Sequence, residues 1–178
     1  MHLAVLPGNS ALNKPWIYVV EKELKNHFST TYVQTYAHWN IPDSFIDMPK
    51  ELSKLTSHLS SIKDDYVIFA KSIGIILILQ GLIKQQINPK ACIFVGNPAN
   101  WSKRLGIDAK DVKKYIRIPI LFIQQTQDPL MPFSKLKHMI QQLKVPIPTT
   151  KEVPGNNHHY KDVTLLKKII VRFLSGQS

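Results

Sequence analysis

Short apolar runs alternate along the chain with longer segments in which apolar residues recur at helical spacing. Runs rich in Val, Ile and Phe are typical of strands that are covered on both faces of a parallel sheet. The alternation therefore predicts an α/β protein in which helices connect parallel strands. The predicted strands are HLAVLP (2–7), TTYVQTY (30–36), YVIFAKS (66–72), KACIFVG (90–96), IPILFIQQ (118–125) and the weaker TTKEVP (149–154).

Four of the connecting segments carry apolar residues on one helical face and predict amphipathic helices. The apolar run 73–83 fits either a strand or a buried helix. The segment Asn97–Tyr115 is the least regular, and we expect it to hold a short helix from Asp108 and a small lid or substrate-facing loop. The four predicted helices are Lys14–His27, Ser44–Ile62, Ser134–Leu143 and Asp162–Leu174.

The 178 residues suit one well-buried core, so we expect a single domain over residues 1–178. Apolar residues make up 44% of the chain and charged residues 20%, a composition typical of folded globular proteins. The first residues lack a basic leader, and the longest apolar run is too short to span a membrane. These features predict a cytoplasmic protein without a membrane partner. Cys92, the only cysteine, is expected to be an inert buried thiol.

The formal net charge of +11 raises the possibility of nucleic-acid binding, because a basic domain attracts polyanions without any motif. The lysines, however, are scattered, and the chain has only three arginines. We therefore expect a solvated basic surface and no specific nucleic-acid partner.

The sequence AKSIG (70–74) follows a predicted strand directly. A serine flanked by small residues two positions away on either side fits a nucleophile elbow, a turn so sharp that bulky neighbours would collide. Ala70 and Gly74 meet this steric demand around Ser72. Taken alone, the pattern also fits a serine that simply begins a helix.

Two further residues strengthen the catalytic interpretation of Ser72. Asp128 follows the strand 118–125, and His158 lies in a Gly/Asn-rich turn after the last predicted strand. Each alone is an ordinary turn or loop residue. Together, a serine, an acid and a histidine each follow a predicted strand, and the carboxyl ends of parallel strands meet at one edge of a sheet. The order Ser, Asp, His favours a catalytic triad.

On these motifs, the chain resembles the small, lidless members of the α/β-hydrolase superfamily. LPGNSALNKPW (6–16) resembles the oxyanion loop, AKSIG the elbow, QQTQDPLMP (124–132) the acid loop and PGNNHHY (154–160) the histidine loop. The resemblance implies a three-layer α/β/α sandwich with a mostly parallel sheet of about six strands. It implies Ser72 as nucleophile, Asp128 as acid and His158 as base, with the backbone N–H groups of Asn9 and Ile73 as the oxyanion hole.

The implied activity is hydrolysis of small esters or related acyl compounds through an acyl-enzyme, with no cofactor. Lys71, where many members have histidine, and Trp101 are possible substrate contacts. The alternative is a hydrolase-fold binding or interaction protein with little turnover. His159 stays an alternative to His158 as the base, and the acyl group, the alcohol and the oligomeric state are left open.

Other kinds of site lack a sequence signature. The remaining histidines are scattered without the spacing of metal ligands, so we expect no metal centre. Gly8 belongs to neither of the glycine-rich patterns that bind dinucleotides or nucleoside triphosphates.

Overall fold

The computed structural model describes residues 1–41, 44–106 and 112–176. Its centre is a sheet of six strands in the order β2-β1-β3-β4-β5-β6, and every neighbouring pair is parallel. The predicted six-stranded, mostly parallel sheet is therefore confirmed. The strands are β1 His2–Leu6, β2 Thr30–Val33, β3 Tyr66–Lys71, β4 Ala91–Val95, β5 Ile120–Gln125 and β6 Pro148–Val153.

Each strand is followed by at least one helix, and all four predicted amphipathic helices are present with shifted ends. The largest shift is in α2, which begins four residues later than predicted because the Asp47 side chain accepts a hydrogen bond from Lys50 N at 3.0 Å. The predicted start at Asp108 lies outside the described residues. The helices are α1 Asn13–Leu24, α2 Met48–Ser60, α3 Ile73–Ile83, α4 Trp101–Leu105, α5 Val112–Tyr115, α6 Phe133–Leu143 and α7 Val163–Ser175.

The helices cover both faces of the sheet. Alternate strand residues such as Val67 and Phe69 pack against α1 and α7, whereas Ile68 and Ala70 pack on the side of α2, α3 and α6. These layers form the predicted α/β/α sandwich. The run 73–83 is a helix that is buried almost all round, which explains why its sequence shows no polar face.

The order of the strands sets the place of the site. The chain goes from β1 outward to β2 and then returns to β3 on the other side of β1. The loops that leave β1 and β3 therefore separate at the carboxyl edge, and such a switch point is where open α/β sheets form their crevice. The loops after β5 and β6 reach the same edge because all six strands are parallel.

Candidate active site

Ser72 lies on a strained turn between β3 and α3. Its backbone angles are φ 51° and ψ −114°, a combination that residues other than glycine rarely adopt. The Ser72 hydroxyl makes no capping hydrogen bond to α3 within the described part of the chain. The turn thus has the geometry of a nucleophile elbow, and the hydroxyl is not used to begin a helix.

The small residue two positions after Ser72 is required by close backbone contact. A Cβ atom on Gly74 would lie 2.9 Å from the Pro7 carbonyl oxygen and 3.2 Å from the Tyr36 hydroxyl. That hydroxyl donates a hydrogen bond of 3.0 Å to the same Pro7 oxygen. Gly74 therefore allows the loop after β1 to approach the first turn of α3.

His158 and Asp128 are joined by a short hydrogen bond. His158 Nδ1 lies 2.7 Å from Asp128 Oδ2, and the Asp128 side chain is fully buried. The Asp128 carboxylate accepts three further hydrogen bonds. The Tyr160 hydroxyl donates to Oδ2, and the backbone N–H groups of Leu130 and Met131 donate to Oδ1. The acid is thus held in one orientation.

These hydrogen bonds also set the charge of Asp128. Burial alone would raise its pKa, but the hydrogen bonds from His158, Tyr160 and Leu130 N outweigh burial and lower the pKa from its ordinary value. Asp128 is therefore ionised at neutral pH and can only accept. With Asp128 ionised, the hydrogen of the shared bond lies on His158 Nδ1, and Nε2 is the nitrogen left to accept a proton.

The end of β4 brings the histidine to the elbow. Ser72 N donates to Val95 O at 3.2 Å, and the next residue, Gly96, lies against the His158 ring. A Cβ atom on Gly96 would be 2.9 Å from His158 Cε1, and Gly96 has φ 63°. A larger residue would displace the ring, so Gly96 makes the space for the base.

His158 Nε2 is buried and has no hydrogen-bond partner among the described residues. Ser72 Oγ and His158 Nε2 are therefore not hydrogen-bonded to each other in this structure. Hydrogen bonds between nucleophile and base are often long in ligand-free enzymes and tighten when substrate binds. The structure thus places the acid–base pair in contact and leaves its basic nitrogen unpaired.

The two predicted oxyanion donors belong to the first residue of α3 and to the loop after β1. Ile73 is the first residue of α3, where backbone N–H groups lack acceptors within the helix. Asn9 lies in the loop after β1, and its carbonyl oxygen accepts the Trp39 indole N–H at 2.7 Å. This contact, together with the Tyr36 bond to Pro7, anchors the loop that carries the Asn9 N–H.

Lys71 does not extend into the crevice. Its side chain is buried, with 3% exposed, and Nζ donates to Asn13 Oδ1 at 3.0 Å while lying 5.6 Å from the centre of the Trp16 ring. Burial lowers the pKa of Lys71 to about 8, against the opposing effect of the Asp128 charge. This placement gives no support to the suggested contact with substrate.

Trp101 is also buried, with 1% of its surface exposed. Its ring packs on Phe94 and Phe122, with centroids 6.2 Å and 5.8 Å away. Trp101 is therefore part of the core beneath the loop after β4, and a direct substrate contact is not supported for it either.

Sequence reasoning missed Tyr160 and Trp16. Tyr160 donates to Asp128, and Trp16 Nε1 donates to the Tyr160 carbonyl oxygen at 2.9 Å. Proximity of Tyr160 to His158 in the sequence was the one available signal, because a residue two positions from a base can reach the same acid. Nothing in the sequence links Trp16 to a residue 144 positions away.

The structure gives no sign of a metal centre or a membrane span in residues 1–41, 44–106 and 112–176. No group of three or more His, Cys, Asp or Glu side chains in these ranges could hold a metal ion. None of the helices described there is long and apolar enough to cross a bilayer.

No protein-family model and no curated protein matches this sequence. Solved structures do match over nearly the whole chain. Est1E from Butyrivibrio proteoclasticus, solved with ferulic acid bound, has a TM-score of 0.75 at 14% identity, and the match covers 99% of this chain and 89% of the Est1E chain. An alpha-beta serine hydrolase homologue from Coxiella burnetii has a TM-score of 0.75 at 17% identity, covering 98% and 85%. The ydeN gene product of B. subtilis has a TM-score of 0.70 at 17% identity, and the match covers 98% of each chain.

These similarities establish the fold of the chain. The proteins include esterases and serine hydrolase homologues of the α/β type, and their TM-scores rest on the full six-stranded unit. The chain therefore has the α/β-hydrolase fold, and the resemblance drawn from its motifs is confirmed at that level. Identities of 14–19% carry no information on substrate.

Proposed function

We propose that the protein is a serine hydrolase that cleaves small esters or related acyl compounds through an acyl-enzyme. The observation that carries this proposal is the 2.7 Å bond between His158 and the ionised Asp128, beside a serine on a strained elbow. An imidazole that is fixed by a carboxylate and has an unpaired second nitrogen can accept the proton of a serine hydroxyl.

The reaction would proceed in two halves. Ser72 Oγ attacks the substrate carbonyl carbon as its proton passes to His158 Nε2, and the Asp128 carboxylate stabilises the imidazolium. The N–H groups of Asn9 and Ile73 bind the oxyanion, each donor contributing about 3 kcal/mol. The alcohol leaves with the proton from Nε2. Water then attacks the acyl-enzyme with the same base, releasing the acid and regenerating Ser72.

A cavity of 790 Å³ beside the acid loop supplies a candidate substrate pocket. It lies between the loop after β4, the loop after β5 and helix α6, and the side chains of Leu130, Met131 and Met139 give it apolar lining. Lys135 and His138 line it from α6. Lys135, an exposed cation at this cavity, would favour substrates with a carboxylate or phosphate.

Labelling with a fluorophosphonate tests the proposal. We expect one label, on Ser72, because only a serine next to a base and an oxyanion hole is activated at neutral pH. Intact-protein mass spectrometry measures it, with Ser72→Ala as the negative control. Ser53→Ala is the matched control, because Ser53 is an exposed serine on α2 that does not line the cavity and should leave labelling unchanged. A label that survives Ser72→Ala would refute the nucleophile.

The second candidate is a binding protein that keeps the hydrolase fold. The observation in its favour is that Ser72 and His158 are not hydrogen-bonded among the described residues. Such a protein would resist labelling and would show no turnover of p-nitrophenyl esters of graded chain length. The single domain over 1–178, the cytoplasmic location and the lack of cofactor, nucleic-acid and membrane partners stay predictions from the sequence.

A further inference from the structure

The Tyr160 side chain contacts Asp128, the proposed catalytic acid. Its hydroxyl donates to Asp128 Oδ2 at 2.7 Å and accepts a hydrogen bond from Gln125 N at 3.0 Å. The residue is buried and has φ 54°, a left-handed conformation that is strained for tyrosine. A strained residue of this kind persists only where surrounding contacts fix it.

Those contacts come from two other elements. Trp16 on α1 donates its indole N–H to the Tyr160 carbonyl oxygen at 2.9 Å. Gly96 after β4 leaves space for the phenol ring, since a Cβ atom there would lie 2.9 Å from Tyr160 Cε2. These contacts fix the Tyr160 ring in the position from which its hydroxyl binds Asp128.

Each oxygen of the Asp128 carboxylate has two hydrogen-bond donors, and the two oxygens differ in the kind of donor. Leu130 N and Met131 N both bind Oδ1, whereas His158 Nδ1 and the Tyr160 hydroxyl share Oδ2. An oxygen that already accepts a phenol hydrogen bond is a weaker acceptor for the imidazole and stabilises its protonated form less.

We propose that Tyr160 is a positioning residue of the triad whose hydroxyl limits the basicity of the Asp128–His158 pair, so that His158 can both take and release the proton. The inference rests on the proposed hydrolase function. Burial raises the pKa of Tyr160, so its hydroxyl keeps its proton and stays a donor over the working pH range. Burial lowers the pKa of Lys71 on β3, and the charge of Asp128 opposes that effect. His159 is exposed, and its N–H binds the Asn157 side chain.

Tyr160→Phe tests the inference through the pH profile of kcat/KM. Without the phenol donor, Oδ2 stabilises the imidazolium more, so we expect the acidic limb to move to higher pH by roughly half to one unit. A residue that served packing alone would lower the rate without moving the limb. A limb that stays in place or moves to lower pH would overturn the inference.

Two other tyrosines provide matched controls. The Tyr66 hydroxyl also accepts a backbone N–H, from Asn88 at 2.7 Å, but lies at the amino end of β3. Tyr66→Phe should change neither rate nor limb. The Tyr36 hydroxyl holds Pro7 of the oxyanion loop. Tyr36→Phe should therefore lower kcat and leave the limb where it is.

A second substitution covers the case in which Tyr160→Phe does not fold, since it leaves Gln125 N unpaired. Replacement of Tyr160 by 3-fluorotyrosine keeps both hydrogen bonds and makes the phenol a stronger donor. The limb should then move to lower pH, and an unchanged limb would count against the inference.

Proton NMR separates this inference from the hydrolase proposal, because it needs no turnover. The His158 Nδ1 proton, identified by its loss in His158→Gln, should move downfield in Tyr160→Phe as its bond to Oδ2 strengthens, and upfield with 3-fluorotyrosine. If those shifts occur in a protein that no fluorophosphonate labels, the inference holds for the acid–base pair while the proposed function fails. Absent shifts in a labelled enzyme would overturn the inference alone.

Discussion

Two side-chain pairs that contain histidine lie at opposite edges of the sheet. At the carboxyl edge, His158 binds the carboxylate of Asp128, and its Nε2 is unpaired among the described residues. At the amino edge, His2 Nδ1 lies 2.7 Å from the Thr30 hydroxyl, and His2 Nε2 lies 3.3 Å from Nε2 of His58. Both pairs are close and at least partly buried, so proximity alone does not distinguish a catalytic histidine.

The two pairs differ in the charge of the partner. A carboxylate stabilises an imidazolium, whereas two facing imidazoles repel each other once either gains a proton. Burial lowers the pKa of His2, and the charge of His58 lowers it further. Burial also lowers the pKa of His58. A carboxylate partner and an unpaired second nitrogen, at the edge where the loops converge, therefore distinguish His158 as the candidate base.

The largest expected effect is the difference in activity between a variant that lacks His158 and variants that lack His159 or His2. We expect His158→Ala to lower ester turnover by several orders of magnitude, on the order of a million-fold, because the triad acts as a unit. His159→Ala and His2→Ala should leave most of the turnover. A p-nitrophenyl ester assay measures it, and circular dichroism checks that each variant folds. If His159→Ala has the larger effect, the base is His159.

Lys71 sharpens the comparison because it is a buried base near Asp128 that forms no close ion pair with it. Its pKa of about 8 in the folded protein lies below the ordinary 10.5. Burying the Lys71 charge therefore destabilises the folded protein. This loss of stability is complete below pH 8 and disappears as pH rises to 10.5. Lys71→Met should therefore raise the free energy of unfolding by up to about 3 kcal/mol at pH 7 and by much less at pH 10.5.

Urea denaturation at the two pH values measures this difference. Lys84→Met is the matched control, because Lys84 is exposed at the end of α3. If Lys71→Met raised the free energy of unfolding equally at both pH values, Lys71 would not be a buried charge.

The pair of His2 and His58 at the amino edge should make the stability of the protein depend on pH in acid. Because the pKa values of His2 and His58 are lowered in the folded protein, the unfolded chain binds more protons below the ordinary value of 6.5. Stability is then lost as pH falls from 7 to 5. His58→Gln should reduce that loss, and His27→Gln, at an exposed position, should not. Urea midpoints at pH 7 and 5 decide between a coupled pair and two independent surface residues.

The smallest expected effect concerns the charge beside the candidate pocket. Lys135→Gln should lower kcat/KM for esters with a carboxylate by roughly 1.5- to 5-fold, the size expected for one exposed charge pair. Lys137→Gln is the matched control, because Lys137 is exposed on the same helix but does not line the cavity. Neutral esters of equal length should respond to neither change, and a uniform loss on both ester types would exclude an electrostatic role.

The fold was readable from the sequence because the four inner strands of the sheet, β1, β3, β4 and β5, are buried on both faces. The runs 66–71 and 91–95 consist almost entirely of apolar residues, which only a covered parallel sheet accommodates. The ambiguous run 73–83 could not be resolved from its own pattern, because a helix buried all round has no polar face. The start of α2 depended on one cap, Asp47, which the periodicity does not show.

The site was readable only where its residues follow strands. Loop position drew attention to Ser72, Asp128 and His158, and parallel strands bring such loops to one edge. Side-chain direction was not readable: Lys71 lies on the α1 side of its strand, and Trp101 lies in the core. Contacts between distant segments, such as that of Trp16 with Tyr160, depend on how α1 and α7 pack and leave no local pattern.

The link between Trp16 and Tyr160 joins the first helix of the chain to its last loop. During synthesis, Ser72 and the oxyanion loop leave the ribosome long before the histidine loop does, and β6 is the last strand to join the sheet. The nascent chain can therefore form its elbow while still lacking both the base and the brace that orients the acid. In the proposed hydrolase, a nascent chain that has not yet reached His158 therefore has no activated serine.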